Sequence, residues 1–84
     1  MERLVVRFEL SDGSEVSVYA VARRAPCGWQ CGVRINENAP HWFELYAASD
    51  RAIERVLDAV VIDVEGDDLV IRLKGEQKND TSRD

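Results

Sequence analysis

The chain has little of what builds most catalytic and structural-metal sites. Its 84 residues include one histidine, two cysteines, two prolines and one methionine. Two cysteines are too few for a disulfide scaffold, and a reducing compartment would keep them as thiols. A glycine-rich phosphate loop, the paired histidines of a metalloprotease and a dinucleotide fingerprint are all missing. No run approaches the ~18 apolar residues of a membrane span. The N-terminus lacks the charged, apolar and cleavage-site regions of a secretory signal, so a cytoplasmic protein is expected. Positive charge is also scarce: 11 Lys and Arg face 16 Asp and Glu, and the net charge of −5 opposes non-specific attraction to phosphate backbones. The acidity is uneven, −1 over residues 1–48 and −4 over residues 49–84.

What the chain does have is alternation. Leu4, Val6, Phe8 and Leu10, then Val16, Val18, Ala20 and Ala22, then Trp29, Cys31, Val33 and Ile35 are apolar at every second position, the period of a half-buried strand. Asp12-Gly13 between the first two runs signals a hairpin. One extra residue beside Gly13 would pair Leu10 with Val16, Phe8 with Val18 and Val6 with Ala20, keeping the apolar sets on one face. Arg23-Arg24 reads as a charged strand end. Ala25-Pro26-Cys27-Gly28 and Asn36-Glu37-Asn38-Ala39-Pro40 read as the next two turns.

Residues 42–48, Trp-Phe-Glu-Leu-Tyr-Ala-Ala, fit two readings. As a strand they send Phe43, Leu45 and Ala47 inward, with Ser49 then capping a helix from about residue 50 to 60. As a helix, Trp42, Leu45, Tyr46, Ser49, Ile53, Val56, Leu57 and Val60 form one stripe. The aromatic content and the Ser-Asp helix start favour the strand, since the longer helix would bury a serine. Residues 61–65 and 69–74 read as a final hairpin about Gly66-Asp67. Residues 75–84 carry no apolar anchor and are expected to be a disordered polar tail.

The expectation is one small domain over 1–74 of the α+β class, an antiparallel sheet of five to six strands with one helix packed on one face, in the order β-β-β-β-α-β-β. The uncovered face would carry Val5, Tyr19, Val21, Trp42 and Tyr46 among Arg7, Arg34 and Glu44. Tyr, Trp and Arg are the residues in which interface binding energy concentrates. Arg7, Tyr19, Arg34, Trp42, Glu44 and Tyr46 are therefore the candidate protein-binding set. Asp63, Glu65, Asp67 and Asp68 crowd the last hairpin. Their order does not match a calcium loop, and apart from a plain solvated turn they suit docking of a basic surface.

Cys27, Cys31 and His41 invite a zinc reading that falls short of four ligands. On a continuous strand the two thiols would stand about 13 Å apart. His41 has no second catalytic group placed beside it by the sequence, and Ser49 is better used as a helix cap. No catalytic residue, metal or cofactor is expected. The aromatic and arginine face lacks the ribonucleoprotein signature, and nucleic acid is not the expected partner. The reading is a small acidic cytoplasmic module that binds another protein, with a basic surface attracted to its acidic half. Its size and charge match inhibitor or immunity proteins of phages and mobile elements, which act by steric occlusion. The alternatives are a homodimeric structural domain and a metal- or nucleotide-handling enzyme centred on Cys27, Cys31 and His41.

Overall fold

The alternating segments form strands β1 (Glu2–Glu9), β2 (Glu15–Ala25), β3 (Gly28–Ile35) and β4 (His41–Ala47). Helix α1 (Asp50–Ala59) and strands β5 (Val60–Glu65) and β6 (Asp68–Leu73) follow. These elements come from a computed structural model that describes residues 1–66 and 68–74. The class and the element order are those expected. Asp67 and the tail at 75–84 lie outside the described residues. The ambiguous segment is strand β4. Helix α1 begins only at Asp50, where the Ser49 hydroxyl accepts a hydrogen bond from the Ala52 amide at 3.1 Å and Asp50 sits in the first turn.

The six strands make two sheets rather than one. Strands β1 to β4 pair antiparallel in sequence order, and among the described residues β5 pairs only with β6. The hairpin's apolar face explains the split. Val60 belongs to the buried core with Ile53, Leu57, Ala20, Ala22, Cys31 and Ala47, and Ile62 and Leu73 pack against it. Those side chains cover the inner face of the larger sheet, so β5 and β6 lie across it with α1 instead of extending its edge. A ten-residue helix spans about 15 Å, while an eleven-residue strand such as β2 runs about 36 Å. Ile53 and Leu57 of the helix cluster with Ala20, Ala22, Cys31 and Ala47, while Ile62 and Ile71 of the hairpin lie near Val18, Val33 and Ile35. Under the hairpin remains an apolar cleft of about 240 Å³ whose lining includes Val18, Val33, Ile35, Phe43, Ile62 and Ile71.

The first hairpin departs from the expected register. Phe8 pairs with Val16 and Val6 with Val18, around a loop in which the Leu10 amide donates to the Ser14 carbonyl. Asp12 accepts from both the hydroxyl and the amide of Ser14, which hold its carboxyl below the usual carboxylate range. The irregularity sits between Leu4 and Val6 instead of beside Gly13. This bulge reverses the faces of the strand's first residues. Leu4, expected inside, is 47% exposed, and Val5, expected on the uncovered face, packs against the core. Arg3 shares the inner side with its partner Ala20 and reaches α1, 3.0 Å from Asp58 and 3.4 Å from Glu54.

Candidate functional site

The outer face of the four-stranded sheet is built by register. Tyr19 pairs with Leu4 and Arg34, Val21 with Glu2 and Gly32, and Arg23 with Gln30. Across the next ladder, Gly32 pairs with Trp42 and Gln30 with Tyr46. Paired residues share a face in an antiparallel ladder, so the expected set Tyr19, Arg34, Trp42 and Tyr46 comes together there. Arg7 joins at the far end, opposite Ser17, and its Nε donates to the Ser17 hydroxyl at 3.1 Å. Glu44, between Trp42 and Tyr46, is exposed.

Two arginine–aromatic stacks organise this face. The Arg34 guanidinium lies 4.4 Å from the Tyr19 ring centroid and pairs with Glu2 at 2.7 Å. The Arg23 guanidinium lies 4.2 Å from the Trp42 ring, and its Nε donates to Gln30 Oε1 at 2.9 Å. Cation–π stacks of this kind contribute roughly 0.5–1 kcal/mol each at exposed sites. Gln30 is buried, and its amide nitrogen donates to the Phe43 carbonyl at 2.9 Å. That bond fills the place of a ladder rung where β4 carries extra residues between the Gln30–Tyr46 and Gly32–Trp42 pairs.

Gly32 is what lets Trp42 lie flat. A Cβ on Gly32 would stand 2.7 Å from the indole and 2.6 Å from the His41 carbonyl. Val21, the other neighbour of Gly32, is only 5% exposed on this face. Trp42 is thus partly structural, whereas Tyr46 is 45% exposed. Arg23 is the member of this face that the expected set lacks. Its period-two relation to Tyr19 and Val21 is the sequence signal that places it there.

The acidic residues sit elsewhere. Asp63, Glu65 and Asp68 alternate with the core-facing Ile62, Leu69 and Leu73, which directs them away from the sheet. Asp63 pairs with Arg72. The aromatic face and the acidic hairpin are therefore on opposite sides of a molecule 17 Å across its thinnest dimension. Asp67 is outside the described residues.

Cys27, Cys31 and His41 do not converge. Cys27 is exposed in the β2–β3 turn, Cys31 is buried in the core, and His41 starts β4 with its ring edge-on to Phe43. Among the described residues, no group of three or more His, Cys, Asp and Glu side chains is placed to hold a metal ion. Burial pushes the Cys31 thiol above its ordinary value, a weak bond to the Gly32 carbonyl opposing it. Folded protein therefore keeps this proton to higher pH than unfolded protein. The associated stability is complete below the unfolded thiol's pKa of about 8.5 and is lost as pH rises toward the folded value. Thiol titration of native protein at pH 8 should give one fast equivalent, from Cys27, with Cys31 reacting only on unfolding. Two fast equivalents would contradict the buried placement.

No family profile matches this sequence, and no curated protein or solved structure matches it either. Among the described residues, no helix is long and apolar enough to cross a membrane.

Proposed function

We propose that the protein is a small, non-enzymatic module that binds another protein through the outer face of its four-stranded sheet. The reading includes action in the cytoplasm as an inhibitor or immunity-type protein, by steric occlusion of its target. One observation carries it. Exposed Tyr46 and Leu4 share a face with two arginine–aromatic stacks, and on that face Arg7 and Arg23 have no carboxylate partner among the described residues.

The chemistry of that face selects a partner surface with carboxylates and apolar groups. Guanidiniums bind carboxylates in planar, directional geometry, and a stacked guanidinium presents its edge to them. The acidic hairpin on the opposite side acts at longer range, where the net charge of −5 biases the approach of a basic region of the partner.

The test is affinity capture from host lysate, followed by calorimetry with the captured partner. Arg23→Ala with Tyr46→Ala should weaken binding at least about 100-fold, as two interface anchors commonly do. Circular dichroism should show the fold retained. Binding within about threefold of wild type would remove the sheet face from consideration. Trp42→Ala combined with Tyr46→Ala is the less clean probe, because Trp42 also packs on Gly32.

A further inference from the structure

We infer that two copies of this chain pair through the free edge of β4, making a continuous eight-stranded sheet. The two edges of the sheet differ in charge. β1 carries Glu2, Arg3, Arg7 and Glu9, and charged side chains discourage edge pairing. β4, His-Trp-Phe-Glu-Leu-Tyr-Ala, carries one carboxylate and no lysine, arginine or proline.

The Phe43 carbonyl points to β3, where Gln30 Nε2 meets it. β4 carries extra residues against β3 here, yet Phe43 and Leu45 line the inner groove and Glu44 between them is exposed, so its side chains keep their alternation. A twofold axis preserves the faces of an antiparallel pair only when the paired residue numbers have an even sum. A twofold at Glu44 would set the two carboxylates against each other. A twofold at Phe43 instead sets each Glu44 opposite the other copy's Trp42, on whose ring Arg23 is stacked. Glu44 and Arg23 both lack an ion-pair partner within the described part of one chain. The second copy supplies one to each, twice over by symmetry.

The apolar layer agrees. Beside the same edge lies a groove of about 190 Å³ lined by Phe43, Leu45, Val60, Ile71, Arg72 and Leu73. Ile71 is 39% exposed. Pairing at β4 brings the two grooves together across the axis and removes both from water. The pairing draws on Arg23 and Glu44 of the outer face but not on exposed Leu4 or the Arg34–Tyr19 stack, so a monomeric wild type leaves the proposed partner site standing.

Sedimentation equilibrium on purified protein tests the pairing. At about 10–100 μM, wild type is expected at twice the 9.5 kDa of one chain. Glu44→Arg places like charges together and should raise the dimer dissociation constant at least about tenfold. Arg23→Glu with Glu44→Arg should restore it to within about threefold. A monomeric wild type overturns the proposal. A dimer indifferent to Glu44→Arg, or one not rescued by the exchange, overturns it too, because the copies then meet elsewhere. Circular dichroism of Glu44→Arg separates loss of pairing from loss of fold.

Discussion

Gly28→Ala should leave little or no folded protein, a larger effect than any surface substitution in this chain. Gly28 has φ +132°, which a residue with a Cβ rarely adopts. The added Cβ would also overlap the Ala47 carbonyl oxygen and stand 3.0 Å from the Ala48 Cα. Both are backbone atoms, so no side-chain rotation relieves the overlap. The chain there is the link from β4 to Ser49, whose capping bond starts α1. Pushing it away moves the helix off the sheet and separates Trp29 from Asp50, now joined by a 2.8 Å hydrogen bond. A domain of this size has about 4–12 kcal/mol of stability, and strain together with an irreducible overlap consumes most of it. Gly13→Ala is the control. Gly13 has φ +88° and nothing within 4 Å of its would-be Cβ, so it should show conformational strain alone, about 1 kcal/mol in urea unfolding. Equal losses for the two variants would refute the steric account of Gly28.

Ile53→Ala is expected to cost about 3–4 kcal/mol. Ile53 is fully buried and joins the helix to Ala20, Ala22, Cys31 and Ala47. Three of those four are alanines. Small residues on the sheet let the helix approach closely, and Ile53 and Leu57 are the largest fully buried side chains between them. Trp29, Leu45 and Val56 pack against this cluster in close-packed surroundings that relax only in part, so most of the cavity cost remains. Val56, on the same helix but only half-buried, should lose no more than about half as much when changed to alanine. Urea midpoints measure both, and a loss under about 1.5 kcal/mol at Ile53 would mean the layers close over the gap.

Alternation made the strands legible because each has one face toward the core, and Ser49-Asp50 marked the helix start through its capping chemistry. The bulge in β1 was hidden for a physical reason. Leu4, Val5 and Val6 are all apolar, so a one-residue slip there changes no residue class and leaves no trace in the pattern. Arg3, polar and next to that run, was the hint that its side chain needs carboxylates, which Glu54 and Asp58 provide from the helix. The placement of β5 and β6 was equally silent. Ile62, Val64, Leu69, Ile71 and Leu73 show that the hairpin has an apolar face, but an apolar face serves as well beside a sheet edge as across a sheet. Of the candidate face, the positions of Tyr19, Arg34, Trp42 and Tyr46 followed from period two. The pairing of each arginine with a ring did not, since it depends on which residues are cross-strand neighbours.

If the outer face binds the proposed partner, its stacks lower the entropy cost of recognition. An arginine on a bare surface samples many rotamers and gives up as much as ~2 kcal/mol of that freedom when a partner fixes it. Arg34 is already held between the Tyr19 ring and Glu2, and Arg23 between the Trp42 ring and Gln30. Their ordering is completed when the chain folds, and the proposed partner would meet guanidiniums whose directions are set. Preorganisation of this kind lets a flat face of modest area hold a partner more tightly than its size alone would suggest.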